Sequence, residues 1–248
     1  MGPPEKMPLL PRFDCFENLG DGAFLYAEDN GLATGGNGPG LTPPCNWLQH
    51  WENIMDPFHV AILHATFSGT QFVKEMAILP EGDWTYVPLG VRYTGVRKLE
   101  GNRSLKRVTE VMAPNLRIVP SPLLTPGPID SIGWTLPIDN THYKVFTVFR
   151  TKNANERRGS LYDGKRWAEL SEEEHQRFPG DYEAQVGQGS ITFHSEEHLA
   201  TSDKGIGMLR RFLAQQITIV EDGGDPAGVI TDPADVLLKL EAGNFFSG

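Results

Sequence analysis

The chain has 248 residues, 39% hydrophobic and 10% aromatic, enough to bury a sizeable core and too apolar for wholesale disorder. Its formal net charge of -10 argues against a nucleic-acid partner, because polyanion binding needs a basic surface that releases counterions. No run approaches the roughly 20 apolar residues that cross a bilayer, no signal pattern opens the chain, and two cysteines, Cys15 and Cys45, are too few for a disulfide framework. A soluble, cytoplasmic protein with free thiols is the expectation.

In chain order, residues 1–44 are rich in Pro and Gly and lack a sustained period, so they read as an extended arm ending in the loop GLATGGNGPGLTPP (31–44). The run CNWLQHWENIMDPFHVAILHATF (45–67) reads as helix. From Gln71 to Lys152 the texture is strand-like: QFVKEMAIL, WTYVPLGVRYTGVRKL, SLKRVTEVMA, LRIVP, IDSIGWTLPI and HYKVFTVFRT, with turn formers between them. Such brief links make neighbouring strands antiparallel, since parallel neighbours need a long crossover. Residues 153–190 are charged and read as a surface excursion. A second helix is expected from about Asp203 to Ile219, and a third from Asp232, an N-cap before Pro233. This order suits an α+β fold in which a curved antiparallel sheet packs on a long C-terminal helix, a helix grip with a cavity between the layers. A single domain over 1–248 is expected, with 1–44 its arm and 45–248 its body.

The densest chemical signal lies in the first helical run. Asn53, Asp56 and His59 recur every three residues and form one polar stripe. His64 follows five residues later, about 140° round an ideal helix, so joint ligation of a metal needs a distortion or a helix end. Pro57 offers one, because it removes a backbone donor. Taken alone, the two histidines read better as hydrogen-bonded core residues than as ligands. His194 and His198 stand four apart, but HSEEH is not the H-E-x-x-H of zinc peptidases. His50, His142 and His175 have no constellation around them.

The pattern N-W-x4-E-N-x2-D-P-x-H-x4-H, from Asn46 to His64, resembles the iron-binding helix of Rieske non-haem iron oxygenases of the aromatic-ring-hydroxylating type. The segment 179–213 is similar to the corresponding part of the phthalate-4,5-dioxygenase-like branch, where the acid opening the last long helix completes a two-histidine, one-carboxylate site. The resemblance therefore implies a mononuclear Fe(II) held by His59, His64 and Asp203, with positions left open for dioxygen chemistry. A plain N-cap role for Asp203 is the alternative. Asp56 corresponds to the carboxylate that bridges the iron to the cluster of a neighbouring subunit, and would also orient a ligand ring. Asn53 corresponds to a residue near the metal.

A Rieske [2Fe-2S] cluster needs two cysteines and two histidines, in the family as C-x-H and C-x-x-H, and neither motif is present. The opening MGPPEKMPLLPRF resembles the stretch that follows the cluster domain. The expectation is a catalytic domain without its Rieske domain, dependent on an outside Rieske domain and reductase for electrons. By the same resemblance it would hydroxylate or oxidatively demethylate an aromatic or related ring substrate with dioxygen, and assemble as a head-to-tail homotrimer. An anionic substrate would have Arg92, Arg117 or Arg150 to choose from. The competing expectation is a non-catalytic helix-grip module for hydrophobic ligands, or an inactive truncated remnant.

Overall fold

A computed structural model describes residues 7–29, 42–153, 165 and 167–248. Most of the loop expected over 31–44, and part of the excursion after residue 153, lie outside the described residues. In chain order the elements are β1 (Arg12–Phe13), β2 (Phe24–Asp29), α1 (Trp47–Asn53), α2 (Phe58–Ala61) running into a π-helix (Ile62–Phe67), then β3 (Glu81–Val87), β4 (Gly90–Lys98), β5 (Ser104–Met112), β6 (Leu116–Ile118), β7 (Gly127–Pro128), β8 (Ser131–Asp139) and β9 (His142–Thr151). Three helices follow, α3 (Glu172–Arg177), α4 (Asp181–Gly187) and α5 (Lys204–Glu221), and the chain closes with β10 (Leu237–Leu238) and β11 (Gly243–Ser247).

The main sheet runs β2-β9-β8-β6-β5, with β4 and then β3 beyond β5, and with β11 along the other edge of β5 carrying β7. Every pairing in it is antiparallel, as the short links require. Among the described residues the one parallel pair, β1 with β10, stands apart from it.

Because strand side chains alternate, the sheet has two distinct faces. Val111 of β5 lies opposite Val91 of β4 and Arg117 of β6, and this face meets the helices. There Trp51, Met55, Trp84, Val91, Tyr93, Val111 and Leu209 form one buried cluster that joins α1 and α5 to the sheet. Each such side chain contributes about 1.5–3 kcal/mol by leaving water. Met112, one residue on, points to the other face, where Phe13 from the N-terminal arm and Ala242 from the C-terminal strand cover Leu116, Ile118 and Ile132. The start of α5 sits so close to the sheet that a Cβ at Gly205 would fall 2.1 Å from Trp84 Nε1. The approach lets that indole donate to the Met55 carbonyl at 3.0 Å.

The helix grip and the antiparallel meander are as the sequence suggests, with three departures. QFVKEMAIL makes a 3-10 turn at Lys74–Ala77 rather than a strand, since Met76 is buried against Leu105 and Leu124 instead of pairing. The third helix is only a 3-10 turn, Pro233–Asp235. Asp232 does cap it, accepting the Ala234 N–H at 2.8 Å, but the residues beyond are claimed by β10 and β11. The arm contains an edge strand, β2, paired along its length with β9.

Candidate metal centre

The helical segment carrying both histidines is broken and then widened. Asn46 caps α1, its Oδ1 accepting the Leu48 N–H at 2.9 Å. After α1 the chain turns at Asp56-Pro57, and Asp56 Oδ1 accepts the N–H groups of Phe58 at 2.8 Å and His59 at 3.2 Å, starting α2. The π-helix begins at Ile62, and within it Ser68 N–H donates to Leu63 five residues back at 3.1 Å. A π turn takes up more residues than an α turn, so residues five apart approach a common face. That widening resolves the angular mismatch between His59 and His64, whose rings stand 5.3 Å apart between centroids.

A carboxylate completes the group. Asp181 opens α4, and its Oδ1 lies 3.1 Å from His64 Nε2 and 3.5 Å from His59 Nε2. One ligand atom from each of His59, His64 and Asp181 lies within 4.8 Å of the others. Both imidazoles are held by their far nitrogens. His59 Nδ1 bonds the Asp56 carbonyl oxygen, and His64 Nδ1 bonds Gln71 Oε1 at 2.6 Å. With Nδ1–H donating in each, both Nε2 atoms turn toward Asp181, that of His64 at hydrogen-bond distance, and these are the atoms a metal would take in place of a proton. Gln71 also donates through Nε2 to the Pro179 carbonyl at 3.2 Å, so one side chain orients His64 and anchors the loop that delivers Asp181. Asn53 Nδ2 donates to Asp181 Oδ1 at 3.0 Å.

Burial pushes the Asp181 carboxyl up, but His64, His59 and the Asn53 hydrogen bond together outweigh it and hold the group well below the usual carboxylate range. Burial likewise pushes His64 down, while Asp181 and Gln71 more than reverse it. A carboxylate facing two imidazole Nε2 atoms is a donor set that a divalent cation can bind in place of a proton. His64 is 3% exposed and Asp181 30%. Asp181 and both histidines line a cavity of about 310 Å³ whose apolar lining includes Phe72, Met76, Val119 and Phe149, a size and texture suited to a small ring compound.

Asp203, expected as the third ligand, is not part of this group. It stands before α5 without a side-chain bond capping that helix, and its Oδ2 instead accepts the Ala200 N–H at 2.7 Å, back across the 3-10 turn Thr201–Asp203. The equivalent work at α4 is done by Glu183, whose Oε2 accepts the Gly180 N–H at 2.8 Å. Asp181 is thereby free of capping and available to the histidines. Asp56 and Asn53 do lie beside the pair, although His59 is oriented by the Asp56 backbone, with the Asp56 carboxylate 3.9 Å from His59 Nδ1. Gln71 and Asp181 escaped the sequence reading. The available signal for Asp181 was the N3 glutamate, which leaves the preceding acid without a local task. Among the described residues, His194 and His198 join no group of three potential ligands. His50 stacks on Tyr143, His142 bonds Asp139 and His175 bonds Glu183. Of the three arginines weighed for an anion, Arg117 lines the cavity, while Arg92 is paired with Glu110 and Glu241.

Fold and site together define a helix-grip domain with a two-histidine, one-carboxylate cluster on a cavity. No family model matches the chain. It is 48% identical over 251 aligned positions to phenoxybenzoate dioxygenase subunit alpha of Ectopseudomonas oleovorans, covering all of this chain and 61% of that one. It is 29% identical over 247 to the tert-butanol monooxygenase / tert-amyl alcohol desaturase oxygenase subunit of Aquincola tertiaricarbonis, covering 88% and 49%. It is 30% identical over 210 to the 5,5'-dehydrodivanillate O-demethylase oxygenase subunit of a Sphingobium species, covering 77% and 46%. The chain thus spans about half to three fifths of the curated relatives it matches. These relatives are oxygenase subunits of Rieske non-haem iron oxygenases, which are oxidoreductases, and the chain matches part of such a subunit. No helix among the described residues is long and apolar enough to cross a membrane.

Proposed function

We propose that the chain is the catalytic part of an oxygenase, holding one Fe(II) through His59, His64 and Asp181 and hydroxylating or oxidatively demethylating an aromatic or related ring compound. The observation that carries this reading is the convergence of two Nε2 atoms and one carboxylate oxygen within 4.8 Å of one another. Two imidazoles and a carboxylate are the donor set of facial non-haem iron sites, which leaves coordination positions open. When bound, the ferrous ion would supply the activation of dioxygen beside the substrate ring.

The remaining work belongs to the chain. Gln71 and the Asp56 carbonyl hold the two rings with Nε2 inward, and Asn53 steadies the Asp181 carboxylate. The apolar walls at Phe72, Met76 and Phe149 keep bulk water from the ring. Electrons must come from elsewhere, because Cys15 and Cys45 pack in separate clusters, one with Phe13 and one with Tyr143. In this reading a Rieske centre and a reductase on another domain or chain provide them, in a head-to-tail trimer with Asp56 on the path. Residues 45–248 act as one catalytic domain and 1–44 as its arm.

Anaerobic reconstitution with Fe(II) tests the site. One iron per chain is expected in the parent and in Asp203→Ala, and little in His64→Ala or Asp181→Ala. Product formed with hydrogen peroxide but not with dioxygen alone would fit a competent site that lacks its electron supply. Tight binding of a ring compound by a chain that takes up no iron would replace this reading with that of a ligand-binding module.

A further inference from the structure

The sheet side of the cavity carries cations that no carboxylate among the described residues pairs with. Register places Tyr93 opposite Thr109, Gly95 opposite Arg107 and Arg97 opposite Leu105, so Tyr93, Arg97 and Arg107 project from one face. All three line the cavity, and they are 3%, 1% and 6% exposed. A Cβ at Gly95 would fall 2.2 Å from the Tyr93 hydroxyl oxygen. The phenol therefore lies along its own strand over Gly95, beside the residue facing Arg107 and two positions from Arg97. The three polar heads form one cluster.

For Arg97 and Tyr93 the hydrogen bonding is incomplete. Arg97 donates through Nε to the Ile78 carbonyl at 2.8 Å, but its Nη1 has no partner, and neither does the Tyr93 hydroxyl. Arg107 donates to the carbonyls of Ser121 and Pro120 and to Asn244 Oδ1, all neutral acceptors. Among the described residues no carboxylate lies within ion-pair distance of Arg97 or Arg107. Burial, and then the neighbouring Arg97 cation, push Arg107 down to about 9. Two buried like charges and an orphaned hydroxyl are costly unless an anion joins them. Arg117, on the same face, differs, since Asp181 is its electrostatic counterweight. The acids Glu28 and Asp130, also on the cavity wall, are engaged by partners of their own.

We propose that Arg97, Arg107 and the Tyr93 hydroxyl form a carboxylate-binding subsite, so that the ring compound brought to the metal centre is an aromatic acid. Guanidinium forks match a planar carboxylate, and the apolar remainder of the cavity takes the ring. The binding stands on this cluster alone, whereas what happens to the bound acid rests on the oxygenase reading.

Calorimetric titration under anaerobic conditions, with and without Fe(II), tests the subsite using phenoxybenzoate, phenoxybenzamide and inorganic phosphate as probes. The acid should bind about tenfold or more tighter than the amide. Arg97→Gln should abolish that preference, Arg97→Lys should keep part of it, and Tyr93→Phe, which removes a single atom, should cost the acid about threefold. Equal binding of acid and amide by the parent would overturn the proposal. So would an undiminished preference in Arg97→Gln with an unchanged circular dichroism spectrum, or phosphate binding as tightly as the acid. Should Arg97→Gln not fold, Tyr93→Phe decides, and an unchanged acid affinity there counts against the subsite. An acid preference in a chain that takes up no iron upholds the subsite and removes only the oxygenase reading. Iron uptake without any acid preference does the reverse.

Discussion

The helical and sheet walls of one cavity solve opposite problems. On the helical wall the polar groups around the histidine pair interlock: Asn53 donates to Asp181, Gln71 bonds both His64 and the Pro179 carbonyl, and Asp56 bonds the backbone that starts α2. Elsewhere on α1, Gln49 Oε1 and His50 Nε2 are buried without a partner among the described residues. On the sheet wall the Tyr93 hydroxyl, Arg97 Nη1, Arg117 Nη1 and Thr147 Oγ1 are buried with no partner among the described residues. A network satisfied internally is rigid before any ligand arrives, as a metal site requires. Donors left open and dry are a demand on something from outside. In the proposed reading the contrast separates the groups that would hold an ion from those that would receive a substrate.

The contrast breaks most directly at the ligands. His64→Ala and Asp181→Ala should each lower anaerobically bound iron from one per chain to under about a tenth. Asp203→Ala should leave iron content intact and cost only a cap, about 1 kcal/mol in urea unfolding. Next in size, Gln71→Leu keeps all three ligands but frees the His64 ring, and Fe(II) affinity in a chelator competition should fall about 10- to 100-fold.

A third expectation concerns pH and lies beneath the helical wall. Burial, and after it the Arg117 cation, push His50 from 6.5 down to about 3. The unfolded chain therefore binds a proton that the folded chain refuses. Stability from this group is complete above pH 6.5 and is lost as pH falls toward 3, by up to about 1.4 kcal/mol per pH unit. Urea midpoints measured across that window should decline with acidification, and His50→Gln should flatten the slope. A last expectation concerns the support of the helix break. Gly205→Ala forces a Cβ against Trp84 Nε1 and should cost about 1–3 kcal/mol with iron stoichiometry unchanged.

Legibility followed the range of the interactions. His59, His64, Asn53 and Asp56 fall within twelve residues, so their spacing showed a polar face and a need for distortion, which the π-helix answers. The strands from Trp84 to Thr151 were readable because alternation and turn residues are local. Asp181 was not, because it is 117 residues from His64, and an acid at a helix start looks the same at 181 and at 203. Only the different use of Glu183 and Asp203 as caps distinguishes them. A third helix is expected from Asp232 because Asp232-Pro233 is a genuine helix start. Partners on distant strands overruled it.

By itself the sequence determined the histidine pair, its neighbours and the antiparallel meander, since each depends on residues a few positions apart whose preferences add up locally. The tertiary structure alone decided which carboxylate meets the histidines and which arginines are left without counterions in the cavity. Those outcomes turn on which remote backbone and side-chain groups claim each charge first, and that competition is settled only when the layers pack.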